Sequence, residues 1–276
     1  MSRSYRIAYI VGLQHCGSTL LDLLLNAHSE AVSVGELFEL HEYAHELKPK
    51  TEQTRFGSSC TCGADSIWDC AFWQAINDQV ERRSGLTLRE LDLRAQDPVR
   101  FADHNRLFFD SLADVTGSKL IIDSSKRFHR LAGLLKYTDL PVTPIHLLRD
   151  PKGQIYSLVK RGKASVLRPA AYYRQTTLKT LKLLRDVESI RLRYENLVAD
   201  PEPNLNEVML SLGLDYQRSQ LNWAEAERHN LAGNRMRRTS SSAITVKDEW
   251  REKLGLSRQA MITMLTLPAT YATRHY

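Results

Sequence analysis

An α/β fold with a central parallel sheet flanked by helices is what this chain predicts, on three observations. Short apolar runs suited to buried strands recur at residues 5–11, 120–122, 145–148 and 190–194. Between them lie amphipathic stretches whose ends carry helix punctuation, with Asp97-Pro98, Asp150-Pro151 and Asp200-Pro201 as starts and Gly117, Gly162 and Gly213 as stops. The first run breaks at Gly12 into a short loop that opens directly onto leucines. Strands separated by helices imply right-handed crossovers and parallel pairing.

That opening stretch, YRIAYIVGLQHCGSTLLDLLL, reads as strand, turn and helix. Gly12 and Gly17 keep the spacing of a phosphate-gripping P-loop, but Ser18 stands where the loop's lysine belongs. Backbone N–H groups in such a turn, and at the start of its helix, still make an anion nest. What the loop lacks is the point charge that reaches the outer phosphates of a nucleoside triphosphate.

Residues 31–36 (AVSVGE) form a short β-branched run expected to lie beside the first strand, leaving Glu36 at its carboxyl end. In open α/β sheets that end faces the ligand. From residue 37 the periodicity loosens into a helical insertion, where Phe72, Trp73, Ile76 and Val80 recur at helical spacing. Asp97-Pro98 starts another helix, with Val99, Leu107, Phe108 and Leu112 along it, their aromatics read as core. In KLIIDSSK a buried strand at residues 120–122 gives way to a polar turn, which places Lys126 in the first turn of the next helix. The helix dipole favours anions there, so that cation faces either solvent or a bound anion. Arg149 follows the strand at residues 145–148 at the corner into a helix carrying Ser157. Residues 168–187 read as a long amphipathic helix with Leu178, Leu181 and Leu184 inward, and a last strand, IRLRY, ends at Tyr194. The stretch HNLAGNRMRRTSSS shows little core pattern and reads as a loop that folds over a ligand.

At 276 residues the chain suits one large α/β domain with a helical insertion. The net charge of +6 is spread out, densest at Arg235, Arg237 and Arg238. This suits an anionic ligand; a basic stripe interleaved with aromatics, the mark of nucleic-acid binding, is absent. Neither a signal-peptide pattern nor a bilayer-length apolar run is present, so a cytoplasmic location is expected. Cys16, Cys60, Cys62 and Cys70 make no secreted disulfide framework. The spacing of the last three leaves open reduced thiols, one labile disulfide, or a structural zinc whose fourth ligand would be His41 or His45.

Four separated segments together resemble the sulfotransferases that use 3′-phosphoadenosine 5′-phosphosulfate (PAPS). HCGSTLL resembles their 5′-phosphosulfate loop, and HLLRDPKGQIYS resembles their 3′-phosphate motif, with Arg149 and Ser157 eight residues apart. RYENLVADP is similar to the segment whose tyrosine lies by the adenine, here Tyr194, and GNRMRR to the loop that closes on the 3′-phosphate. GELFEL and DSSK are most similar to the tyrosylprotein and carbohydrate branch and its bacterial relatives.

The resemblance implies a three-layer P-loop-type fold over residues 1–276, with an insertion at about 37–116 and a closing loop at 229–250. It implies sulfuryl transfer from PAPS to a hydroxyl acceptor, whether small molecule, glycan, lipid or peptide, with no metal required, no metal ligand assigned and no nucleic-acid partner. Gln14, His15, Cys16, Gly17, Ser18, Thr19 and Leu20 would line the donor's 5′ end, and Arg149, Ser157, Arg237 and Arg238 would hold its 3′-phosphate. Glu36 would be the catalytic base, with Lys126 and His15 as catalytic cations. His15 departs from the lysine or arginine usual at its place, so Lys126 would supply the fixed charge. The alternatives are a P-loop kinase or other NTP-dependent transferase, and a non-catalytic PAPS-binding protein.

Overall fold

The computed structural model describes residues 3–47, 60–160, 165–246 and 248–276. Its sheet has five parallel strands in the order β2-β3-β1-β4-β5. These are β1 (Arg6–Val11), β2 (Ala31–Ser33), β3 (Leu120–Lys126), β4 (Val142–Leu148) and β5 (Ile190–Arg193). β1 is buried after its first residue, as a strand covered on both faces must be. It pairs with β3 on one side, Ile7 opposite Ile121, and with β4 on the other, Ile10 opposite Ile145.

One placement departs from expectation. β2 does not lie beside β1; it pairs with β3 and forms the sheet margin. β2 has three residues, two of them half-buried, whereas β3 buries its first six and can fill an interior position.

The alternation of side chains along β1 divides the core into two layers. Ile7, Tyr9 and Val11 face a cluster with α3 (Ala71–Ser84), α4 (Pro98–Thr116) and α5 (Phe128–Tyr137), reached after the short α2 (Leu40–Ala44). Ala8 and Ile10 face α1 (Ser18–Asn26), whose Leu21, Leu23, Leu24 and Leu25 are fully buried. Each such leucine is worth about 1.5–3 kcal/mol relative to exposure, enough to fix α1 against the sheet. Trp73 and Phe108 anchor the insertion in the first layer. A third cluster joins α6 (Pro151–Val159) and α7 (Leu167–Leu183) to Trp250 and Leu254 of α10 (Trp250–Lys253) and its end, and to Ile262 of the C-terminal α11 (Leu256–Ala272), whereas α8 (Tyr194–Ala199) and α9 (Pro201–Ser211), which follow β5, pack in the α1 layer.

The punctuation acts as local chemistry requires. The Asp97 carboxylate accepts from the Arg100 N–H at 2.8 Å, Pro98 begins α4, and Gly117 ends it at φ 64°. The Asp150 carboxylate accepts from the Lys152 N–H at 2.7 Å at the start of α6. Gly162, the expected stop, lies outside the described residues. Along α7 the buried face is Ala170, Tyr173, Thr177 and Thr180, and Leu178 is exposed. α7 packs against α11, and the Thr180 hydroxyl donates to its own helix at the Thr176 carbonyl. Val99 likewise faces outward, 67% exposed.

Candidate active site at the carboxyl edge of the sheet

Every strand delivers a residue of interest at its carboxyl end. The loop 12–17 follows β1, Glu36 lies just beyond β2, Lys126 ends β3, Arg149 follows β4 and Tyr194 follows β5. This edge is where open α/β sheets bind ligands.

The loop is held by its carbonyls. The Gln154 side-chain amide donates to the Gln14 carbonyl at 2.7 Å, and the Arg149 guanidinium donates to the His15 carbonyl at 3.0 Å. His15 and Gly17 take left-handed backbone at φ 65° and 102°. Gly17 is obligatory: its Cβ position is filled by the Tyr194 ring, and the sign of its φ disfavours any side chain. As N-cap of α1, Gly17 brings no side chain to the first helical N–H groups, so the amides at Ser18 and Thr19 open the helix without a capping oxygen. Ser18 and Cys16 are buried beneath the loop, Leu20 packs in the core, and Gln14 and His15 are exposed.

Glu36 and Lys126 form an ion pair with both side chains mostly buried. Two backbone couplings bring them together. The Ser124 N–H donates to the Gly35 carbonyl at 2.9 Å, and the Phe38 N–H donates to the Ser125 hydroxyl at 2.8 Å. β3 therefore continues through Ser124 and Ser125, and Lys126 is its last residue, at φ 64°, instead of lying in the first turn of α5 as the sequence suggested. Asp123 imposes that shape: its carboxylate accepts from the Ser125 N–H at 3.0 Å and from the buried Arg130 guanidinium at 2.9 Å. A left-handed non-glycine residue costs of order 1–3 kcal/mol, and such residues cluster at functional sites.

The segment after His229 closes one side. Leu231 bridges Gly35, donating to the Val34 carbonyl and accepting from the Glu36 N–H, both at 3.1 Å. The Cβ position of Gly233 lies 3.7 Å from the Thr19 hydroxyl and 3.8 Å from both Glu36 Oε1 and the Arg237 side chain. Thr19, Glu36 and Arg237 therefore surround one point beside the loop. Arg237 is 4% exposed and donates to the Asn230 carbonyl at 2.8 Å, and its buried Nε meets no acceptor among the described residues. A buried, half-satisfied guanidinium beside an uncapped helix start is a donor set that suits an anion.

A second group stands on the β4 side. Arg149 lies over the Tyr194 ring at 4.5 Å, and Tyr194 covers Gly17. The corner is fixed from behind by the Tyr173 hydroxyl, which donates to the Arg149 carbonyl at 3.0 Å, and by Glu195, which accepts from the Asp150 N–H at 2.9 Å. Ser157 is half-buried farther along α6. Of the arginines assigned to one phosphate by resemblance, Arg149 keeps company with Tyr194, whereas Arg237 lies with Glu36 and Thr19. Burial and the Arg237 charge lower the Arg238 pKa, while Tyr43, Cys60 and Cys62 act the other way.

Two further groups escaped the sequence reading. Asp22, buried in α1, accepts from the Ser33 hydroxyl at 2.5 Å and from the Asn230 amide at 2.8 Å, tying α1, β2 and the closing segment together. Burial pushes its carboxyl up to about 7, against the hydrogen bonds from Ser33 and Ser124 and the charge of Lys126. The sign that could have flagged Asp22 is a lone carboxylate inside a run of leucines. His229 is the other: its Nδ1 lies 3.3 Å from the Cys70 sulfur and 3.7 Å from that of Cys60, whereas the His41 and His45 rings lie against each other, tilted by 46°, and His45 bonds the Arg89 carbonyl. The cysteines' nearest histidine is therefore neither of the two the sequence suggested.

Comparison with known proteins agrees with this geometry. A family model described as the sulfotransferase family matches residues 8–218. A search of curated proteins finds no match. Among solved structures, the sulfotransferase domain of the Synechococcus PCC 7002 olefin synthase superposes with a TM-score of 0.61 at 19% identity, covering 100% of this chain and 98% of that one. The sulfotransferase domain of the curacin biosynthetic pathway gives 0.56 at 18% identity, covering 96% and 99%. Sulfotransferase STF9 from Mycobacterium avium gives 0.52 at 12% identity, covering 98% and 77%. Identities this low speak to fold alone, but the family match spans the sheet from β1 to the end of α9, and with it the chain belongs to the sulfotransferase family.

Proposed function

We propose that the protein moves the sulfuryl group of PAPS to a hydroxyl acceptor, releasing adenosine 3′,5′-bisphosphate and a sulfate ester. The observation that carries this reading is the meeting of Glu36, Lys126 and Arg237 with Thr19 at the start of α1. A base and two cations stand there beside main-chain donors, with no lysine in the loop itself.

The loop amides and Thr19 would hold the donor's 5′-phosphosulfate. In transfer, the acceptor oxygen bonds to sulfur, the bond from sulfur to the 5′-phosphate oxygen breaks, and the acceptor proton passes to Glu36. Negative charge then grows on the departing phosphate, where the N–H groups at the start of α1 and the Lys126 ammonium would stabilise it. On this assignment the chemistry uses side chains and main-chain amides alone. Arg149, Ser157 and Tyr194 would hold the nucleotide end, the guanidinium matching the fork geometry of a 3′-phosphate. The acceptor is a hydroxyl compound entering beside Glu36.

Two measurements test this. Calorimetry should show adenosine 3′,5′-bisphosphate binding far better than ATP with Mg²⁺; the reverse order would turn the assignment toward a kinase. Mass spectrometry of a metabolite extract supplied with PAPS should show a new sulfated product, and binding without any product would leave only a binding protein. Glu36→Gln should remove nearly all turnover while bisphosphate affinity stays within about twofold, since a general base contributes about 10²–10⁴-fold to rate. Retained turnover would take Glu36 out of the mechanism.

A further inference from the structure

We propose that Cys60, Cys62, Cys70 and His229 form a structural zinc site that fastens the closing segment to the insertion. The three sulfurs and the His229 Nδ1 all lie within 4.8 Å of one another. Cys70 sits 3.6 Å from Cys62 and 3.7 Å from Cys60, sulfur to sulfur, and 3.3 Å from the imidazole nitrogen. A tetrahedral zinc with bonds of about 2.3 Å to sulfur and 2.0–2.1 Å to nitrogen sets ligand separations of roughly 3.8 Å and 3.6 Å. Four of the six separations, those among Cys60, Cys70 and His229 and from Cys62 to Cys70, thus come within about 0.3 Å of such a tetrahedron, and the other two are no longer than 4.8 Å. A disulfide requires about 2.05 Å between sulfurs, and no pair approaches it.

The surroundings are those of a metal ligand set. Cys60 and Cys62 lie on a tight turn, with the Gly63 N–H donating to the Cys60 carbonyl at 3.2 Å and Gly63 at φ 103°. Cys70 is the residue that opens α3. The His229 Nε2 bonds the Glu227 carboxylate at 2.9 Å, which assigns the proton to that nitrogen and leaves Nδ1 as a lone pair facing the sulfurs. Phe72 stacks on the imidazole with rings 4.4 Å apart and 5° from parallel, and the Trp73 indole donates to the His229 carbonyl at 3.0 Å, so ring and backbone are both held. Three thiolates and one imidazole favour zinc over harder cations. Four protein ligands also complete the coordination, leaving no open position for substrate, so the role is structural.

What the ion would hold follows from where His229 lies. The next residues are Asn230, bonded to Asp22 and Ser33, and Leu231, which bridges Gly35 beside Glu36. Arg237 returns to the Asn230 carbonyl. Zinc at His229 would therefore pin the root of the segment that carries Arg237.

Elemental analysis of the full chain, purified under reducing conditions without added metal, should find one zinc per chain, or uptake of one from chelator-buffered solution. Cobalt substitution should give a thiolate charge-transfer band and the intense visible bands of a tetrahedral site. Cys62→Ser, at an exposed position, should lose the bound metal with helical circular dichroism unchanged, and Glu227→Gln should lower zinc affinity by about tenfold or more. Chelation should speed amide exchange over residues 229–238 while β1 and β3 stay protected. A chain that neither retains nor takes up zinc or cobalt, or that emerges from native purification with Cys62 and Cys70 disulfide-linked, overturns the proposal. These readouts do not use turnover, so they stand apart from the assignment of PAPS.

Discussion

Asp22 and His146 are buried titratable groups that act on stability in opposite directions. Burial raises the Asp22 carboxyl from 3.8 to about 7, so between those values the folded state holds a proton that the unfolded chain releases. Stability from this group falls as pH rises through that window. Burial, aided by the Arg191 charge, lowers the His146 imidazole from 6.5 to about 3, where its Nδ1 pairs with the Tyr276 hydroxyl at 2.8 Å. There the unfolded chain binds the extra proton, so stability rises with pH through nearly the same window. The two largely offset each other in the native chain. Asp22→Asn should therefore give a stability that increases more steeply from pH 4 to 7 than wild type, and His146→Asn one that decreases; urea titrations across that range read both slopes. Unchanged slopes would mean that neither group is desolvated as described.

Elements were legible where local chemistry writes their boundaries. Asp97, Pro98 and Gly117 mark α4, and Asp150 with Pro151 marks the start of α6, because caps and fixed dihedrals act within a few residues. Of the three leucines expected to face inward, Leu184 is buried and Leu178 is exposed, while the buried face of α7 itself is Ala170, Tyr173, Thr177 and Thr180. Packing against neighbours decides which stripe is buried: α7 lies against α11, and its Tyr173 hydroxyl reaches the Arg149 carbonyl. The end of β3 was misread for a related reason: a buried Arg130, seven residues farther along the chain, holds the Asp123 carboxylate that accepts from Ser125, and the strand runs on to Lys126. The strand, loop and helix unit at the N-terminus carries its own test. Gly17→Ala would place a methyl against the Tyr194 ring at a φ that side chains avoid. We expect a loss of about 1–3 kcal/mol in thermal unfolding, together with nucleotide affinity weakened at least tenfold. Near-normal values for both would show that the loop relaxes without Tyr194.

At the scale of the whole molecule, the candidate residues could be named one by one from the sequence, but not which of them stand together. Glu36, Arg149 and Tyr194 were expected where strands end, and Lys126, expected at a helix start, ends a strand as well. That Arg237 stands with Glu36, and that His229 reaches Cys70 across 159 residues, depends on how distant segments return to the sheet, which no local pattern encodes. The division has a measurable consequence. If Arg149 serves the 3′-phosphate, Arg149→Ala should weaken adenosine 3′,5′-bisphosphate by about tenfold or more while 5′-AMP changes little, since a charged hydrogen bond is worth about 1.5–3 kcal/mol. Equal losses for both nucleotides in calorimetry would assign that phosphate elsewhere.

The sheet's two margins are its shortest strands, β2 with three residues and β5 with four, and Leu231 already pairs beyond the end of β2. A foreign strand thus finds little unpaired backbone on which to register. Cross-β growth from the native state is disfavoured by this economy of edge, and crowding or long storage should drive self-association through helix surfaces before it recruits the sheet.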